Sequence, residues 1–232
     1  MKVVILAGGL GTRLSEYTHM IPKPMVKINK KPILYYIMKH FSNYGHKNFY
    51  IALGYKGKII KDYFKKQSFN WNINLIDTGL GTMTGGRLKK LKKYLKDEEN
   101  FFLTYGDGVA NVNLKNLLNF HNKKKDALVT MTAVRPPARF GAIKVIGQKV
   151  KLFREKSKID EGWINGGFFL MKPKFIDYIE KSSTFLEKYP LQKVAKLNQL
   201  YAYKHNGFWQ CMDTKRDKDY LENLFKKGKV KF

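Results

Sequence analysis

A single cysteine, Cys211, in 232 residues leaves no internal disulfide framework and no cysteine-built zinc cluster. No apolar run approaches the roughly 20 residues that a membrane-spanning helix needs. The first residues also lack the basic, apolar and small-residue sections of an export signal, because Val3 to Ala7 runs straight into glycines. A reducing, cytoplasmic setting and no membrane partner are the expectation. Acidic residues are scarce, 18 against 45 basic, for a net charge of +27. Such an excess can mark nucleic-acid binding through counterion release. Its distribution argues otherwise. Lysine supplies 39 of the basic residues, in runs such as Lys89-Lys90, Lys92-Lys93, Lys123 to Lys125 and Lys226-Lys227 that fall mostly on polar helix faces. No nucleic-acid partner is expected, and the positive field suits an anionic substrate.

A hydrophobic content of 44% belongs to a globular chain. Apolar runs alternate with helical patterns. Val3 to Leu6 reads as a buried strand. Pro32 opens a helix carrying Ile33, Tyr36, Ile37, Phe41 and Tyr44, which Gly45 ends. Strands follow at 48–53, 73–76, 101–105 and 127–134, and helices at 57–66, 84–95 and around Leu114, Leu117 and Leu118. Beyond Arg139 come shorter β segments, FGAIKV, QKVKLF and WINGGFFLM, read as an antiparallel sector over the same edge. The expectation is an α/β, Rossmann-like fold. A mostly parallel mixed sheet carries helices on both faces, with a small antiparallel β sector. No linker or internal repeat divides the chain, so residues 1–232 read as one domain.

The residues that carry chemistry begin at the first strand's end. In LAGGLGTRL, Gly8, Gly9 and Gly11 let the backbone turn sharply and approach a ligand. Successive amides there can form an anion nest, and Arg13 adds a planar cation. A Walker A loop is excluded, because Gly11-Thr12-Arg13 stands where Gly-Lys-Ser/Thr is required; a dinucleotide fingerprint fails at Leu14. Ten residues on, IPKPM holds Lys23 between Pro22 and Pro24, which keep it out of a helix. Asp107, between two glycines at the end of a buried run, is well placed to hold magnesium at a cleft mouth. No Ser-His-Asp or Cys-His arrangement stands out.

LAGGLGTRL followed by PKPM resembles the signature of the sugar-1-phosphate nucleotidyltransferases. The similarity continues through DTGLGTMTGGRL, FFLTYGDGVA, RFGAIKV, INGGFFL and FWQCMDTKRDKDYLE. TMTGGR and FWQCMDT resemble most closely the branch that transfers a cytidylyl group to glucose 1-phosphate. The resemblance implies an enzyme of the nucleotide-diphospho-sugar transferase type. Its substrates would be a nucleoside triphosphate and a sugar 1-phosphate, its cofactor Mg2+, and its assembly a homo-oligomer. Residues about 1–135 would hold the nucleotide and about 136–232 the sugar phosphate. Leu6, Ala7, Gly8, Gly9, Leu10, Gly11, Thr12 and Arg13 would cradle the nucleotide, with Lys23, Thr82, Arg87 and Gly106. Arg13, Lys23 and Asp107 would be catalytic, and Asp107 with Asp213 would hold the metal. Gly141, Glu155, Lys156, Asn165 and Gly166 would meet the sugar phosphate. Other nucleotide and sugar pairs on this reaction (GTP or UTP with mannose, glucose or heptose phosphate) stay open, as does a nucleotide-sensing subunit.

Two departures from the family pattern stand out. Ser157 follows Glu155-Lys156 where proline is usual, and the stretch between Phe64 and NLIDTG is shorter than in the cytidylyl branch. His40 and His121 lie beside apolar helix faces and read as packed residues. Cys211 and Trp209 share strand parity with Asp213 and so face the same cleft; packing and sugar contact are both open for Trp209.

Overall fold

The computed structural model describes residues 1–137, 142–154 and 162–228. Strand β1 (Lys2–Leu6) lies in mid-sheet, parallel to β4 (Asn48–Leu53) on one side and β6 (Phe101–Tyr105) on the other. A strand covered on both faces has no solvent side, which is why VVIL is continuously apolar. Alternate residues serve opposite cores. Val3, Ile5, Phe49, Ile51 and Phe102 pack on one face, under α2 (Ile33–Asn43), α3 (Gly57–Lys65) and α6 (Leu114–Asn122). Val4, Leu6, Ala52, Phe101 and Leu103 pack on the other, under α4 (Thr84–Lys90), α5 (Lys92–Leu95) and α7 (Tyr189–Lys196). The outer strand β5 (Asn72–Asp77) runs parallel to β4 and is only half-buried. Between β1 and α2 lie the one-turn α1 (Ser15–Thr18) and the short pair β2 (Lys27–Ile28) and β3 (Lys31–Pro32).

The later part of the chain corrects the sequence reading. INGGFFLM forms β11 (Ile164–Met171), which enters the main sheet between β6 and β8 (Val129–Val134), antiparallel to both. Strand β12 (Leu200–His205) then closes that side, parallel to β8. The sheet order is therefore β12-β8-β11-β6-β1-β4-β5. Phe168 to Met171 are fully buried, and an unbroken apolar run of that kind demands a central place. Antiparallel pairs outside this sheet are small. Among the described residues they are β9 (Ala142–Ile146) with β10 (Lys149–Arg154), β7 (Gly108–Ala110) with β13 (Trp209–Cys211), and β2 with β3. The expected helix over 84–95 is two helices, broken at Leu91. The last helix, α8 (Lys215–Lys226), was not foreseen; a Thr214–Asp217 capping box starts it. Among the described residues no helix is long and apolar enough to cross a membrane.

Candidate active site

The site lies beyond the carboxyl ends of β1 and β6, where open α/β sheets bind ligands. Ala7 N–H still donates to the Ala52 carbonyl at 3.0 Å, and then the chain leaves the sheet. Gly11 has φ +69°, and a Cβ there would also meet Thr18 Cγ2 at 2.9 Å and Lys23 Cβ at 3.1 Å. Gly106 N–H donates to the Leu6 carbonyl at 3.0 Å, and a Cβ on Gly106 would meet Pro24 Cγ at 2.9 Å. Only glycines let the loop, the PKP turn and the end of β6 crowd together in this way. Between them opens a cavity of about 340 Å³, lined by Leu6 to Gly9, Gly11 to Arg13, Lys23, Thr82, Arg87, Gly106 and Asp107. Leu10 instead faces solvent.

A four-charge cluster stands at the cavity's side. Lys23 Nζ lies 2.6 Å from Asp107 Oδ2 and 2.5 Å from Asp213 Oδ1, and Arg13 Nη1 lies 2.9 Å from Asp213 Oδ2. Local structure brings these distant residues together. Lys23 sits in a 3-10 turn between its two prolines, closed by Met25 N–H to the Pro22 carbonyl at 2.8 Å. The β7–β13 ladder continues as Met212 N–H to the Asp107 carbonyl at 2.9 Å, so Asp213 is held opposite Asp107. Asp217, in the first turn of α8, accepts the Asp213 N–H at 3.1 Å. Burial alone would lower the Lys23 pKa; the two carboxylates outweigh it, and the ammonium is held above its ordinary value. For Asp213, burial works upward, but Lys23 and Arg13 prevail and hold the carboxyl below its ordinary value. Cys211 lies beside this cluster, donating Sγ–H to Asp213 Oδ2 at 3.5 Å. Burial and the nearby carboxylates push its thiol up to about 12, so it stays protonated.

The two carboxylates converge on a single cationic atom, which is the donor set that a hard divalent ion asks of a protein. Magnesium binds through one or two carboxylates, with phosphate and water completing its shell. Among the described residues there is no group of three or more His, Cys, Asp or Glu side chains placed to hold a metal, so this pair is the candidate.

Arg87 makes contacts that its sequence reading did not include. It lines the cavity, but its guanidinium is committed to neutral acceptors. Nη1 donates to the Leu53 carbonyl at 2.9 Å, Thr78 Oγ1 at 2.6 Å and the Gly79 carbonyl at 2.9 Å; Nη2 donates to the Gly8 carbonyl at 2.8 Å. These carbonyl dipoles and the hydroxyl compensate the buried cation; α4 is so short that Arg87 falls in its last turn, not its first. Burial, opposed by Asp77, lowers its pKa. Its geometry is that of a brace tying the glycine loop to the loop after β5. Thr82 belongs to the same brace, donating Oγ1–H to the Thr78 carbonyl at 2.6 Å, where Lys90 Nζ also donates at 2.9 Å.

Asn165 and Gly166 follow Ile164 at the start of β11, and among the described residues neither lines the cavity. Asn165 Oδ1 accepts the Gly167 N–H at 2.9 Å, and the Gly166 carbonyl accepts Trp209 Nε1–H at 2.8 Å. Trp209 therefore packs against the strand that carries Asn165. Gly141, Glu155 and Lys156 lie outside the described residues. Sequence reasoning missed Tyr105 and Phe185, which line the cavity, and Glu187 behind them. Tyr105 OH donates to Glu187 Oε1 at 2.6 Å, and Thr84 Oγ1 to Glu187 Oε2 at 2.7 Å. Tyr105 was within reach of the sequence, as the last residue of the strand before Gly106-Asp107. Phe185 and Glu187 carried no signal, because they arrive from the segment before α7.

A family model described as nucleotidyl transferase matches residues 2–224. The glucose-1-phosphate cytidylyltransferase of Salmonella typhimurium is 49% identical over 252 aligned positions, covering 99% of this chain and 98% of that protein. That span exceeds the 232 residues here, so the relative has residues without a counterpart in this chain. The probable glucose-1-phosphate cytidylyltransferase of Bacillus subtilis is 41% identical, covering 98% of this chain and 97% of that protein. Among solved structures, a putative glucose-1-phosphate thymidylyltransferase from Bacillus anthracis superposes with a TM-score of 0.79. At 17% identity it covers 100% of this chain and 97% of its own, a likeness of fold alone.

Proposed function

The chain belongs to the nucleotidyl transferase family, and from that premise we propose that it transfers a cytidylyl group from CTP to glucose 1-phosphate. One observation supports the reading most directly. Lys23, Asp107, Asp213 and Arg13 meet beside a glycine loop that opens on a cavity. A phosphate oxygen of the sugar phosphate forms a bond to the α-phosphorus of CTP. The bond from that phosphorus to the β-phosphate's bridging oxygen breaks opposite, and pyrophosphate leaves. The nucleophile has a second pKa of about 6, so it is already largely dianionic at neutral pH and needs no general base. The barrier lies in bringing two anions together in line, and the remedy is positioning and fixed positive charge.

The loop from Leu6 to Arg13 holds the triphosphate, with Arg13 and Lys23 as its cations. Lys23, buried and held by two prolines, faces the charge that changes at the reacting phosphate. Asp107 and Asp213 would hold Mg2+, which when bound neutralises phosphate charge as a Lewis acid. Thr82 and Gly106 approach the nucleotide, and Arg87 keeps the glycine loop and the loop of residues 78–82 in register. Asn165 and Gly166, with Glu155 and Lys156, serve the sugar phosphate. The enzyme works in the cytoplasm as a homo-oligomer.

Pyrophosphate release from glucose 1-phosphate with each of four nucleoside triphosphates tests the proposal, with competition kinetics to rank them. CTP is expected to win. UTP presents a carbonyl where CTP presents an amine, and an unpaired buried polar group costs about 1–3 kcal/mol. Equal or better kcat/KM with UTP overturns the cytidylyl assignment and leaves the family standing.

A further inference from the structure

The four charges beside the glycine loop are two cations against two anions, and Lys23 alone touches both carboxylates. A divalent ion drawing on both aspartates would compete with the Lys23 ammonium, which sits on Oδ2 of Asp107 and Oδ1 of Asp213 and repels a second cation between them. The backbone of Lys23 cannot yield. It is fixed by Pro22 and Pro24, by the 3-10 turn, and by the contact that Gly11 permits with its Cβ. The long side chain can yield, since it lines the cavity as well as the carboxylate pair.

We infer that Lys23 is a resident counter-ion that keeps divalent metal out of the nucleotide-free site and hands the two carboxylates over only when a triphosphate takes its ammonium. This rests on the proposed metal role of Asp107 and Asp213. The exchange is balanced in charge. The ammonium leaves two carboxylate oxygens for phosphate oxygens beside the glycine loop, and the metal takes the place it left. By linkage, nucleotide tightens metal binding and metal tightens nucleotide binding by the same factor. Arg13 cannot play this part. Its side chain is 72% exposed and it reaches Asp213 only.

Titrating the full chain with Mn2+, and reading the free-ion electron paramagnetic resonance signal, tests the exchange without turnover. Wild type should bind Mn2+ weakly alone and far more tightly with a non-hydrolysable CTP analogue. Lys23→Met should tighten Mn2+ binding to the nucleotide-free protein by about 10-fold or more and shrink the analogue's effect. Lys23→Gln, nearly as long and uncharged, should do the same. Arg13→Met removes an equal charge and should change nucleotide-free binding by no more than about 2-fold, as an exposed pair allows. If both Lys23 variants bind Mn2+ no more tightly than Arg13→Met, the counter-ion role is overturned. Failure of the metal assignment looks different, because Asp107→Asn and Asp213→Asn would then leave Mn2+ binding with the analogue unchanged.

Discussion

Lys23 and Arg87 are both buried, both cationic and both line the same cavity, yet they are held in opposite ways. Lys23 is held by anions, the carboxylates of Asp107 and Asp213. Arg87 is held by the carbonyls of Gly8, Leu53 and Gly79 and the hydroxyl of Thr78. Partners that are charged side chains can be exchanged for a charged ligand. Partners that are backbone carbonyls at the ends of β1, β4 and β5 cannot be exchanged without moving the sheet's edge. The difference separates a cation that can take part in chemistry from one that keeps the site in shape, and each side of it can be broken experimentally.

The largest effect is expected from removing what holds Lys23. Asp107→Asn should leave the fold intact and reduce turnover by on the order of 100-fold or more, since several kcal/mol of charge stabilisation go with the carboxylate. Steady-state kinetics at saturating magnesium checks it, and near-wild-type turnover would remove Asp107 from the metal site. The comparison itself is tested by substituting methionine for each cation. Arg87→Met leaves several acceptors short of a charged donor and should cost about 3 kcal/mol in denaturant unfolding. Lys23→Met should lower kcat by tens-fold, on the order of 2 kcal/mol, with a smaller change in the KM for sugar phosphate. Its stability should also fall at neutral pH, because the carboxylates of Asp107 and Asp213 are left facing each other without their shared cation, but added divalent metal should restore it, as it should not for Arg87→Met. Equal response of the two variants to divalent metal would dissolve the distinction.

Much of this could be read before any coordinates. Strands with a continuous apolar run flanked by glycine, such as VVIL and FFLTY, announced their buried positions. The glycine loop, Lys23 and Asp107 followed from backbone freedom, proline restriction and an isolated carboxylate. The bracing contacts of Arg87 were beyond the sequence. It shows a cation near the start of an expected helix over 84–95, but not that the carbonyls of three other strands and loops arrive to hold it. The strand β11 was placed in a separate sector because it follows short β segments; its own run of Phe168 to Met171 carried the better signal. Tyr105, Phe185 and Glu187 meet only through tertiary contacts, and no local pattern encodes that meeting.

A third buried group extends the comparison away from the site. His121 on α6 pairs Nδ1 with Thr130 Oγ1 at 2.8 Å and Nε2 with Asn100 Oδ1 at 3.0 Å. Its partners are neutral, like those of Arg87, and a neutral imidazole satisfies them with one donor and one acceptor. Burial, with a contribution from Lys172, lowers its pKa to about 4. The unfolded imidazole takes a proton near 6.5, the folded one only near 4. Between those values the unfolded chain binds more protons, so stability falls as pH falls. At pH 5 this single group should have cost about 2 kcal/mol relative to neutral pH. His40 and His46, also lowered to about 4 by burial, titrate in the same window. His121→Gln should therefore make the decline of melting temperature between pH 6.5 and 4 shallower by one proton's worth without abolishing it. Turnover at neutral pH should be unaffected, since the group lies in no contact with the site. An unchanged slope would mean that His121 is protonated in the fold, and that neutral partners do not by themselves mark a structural role.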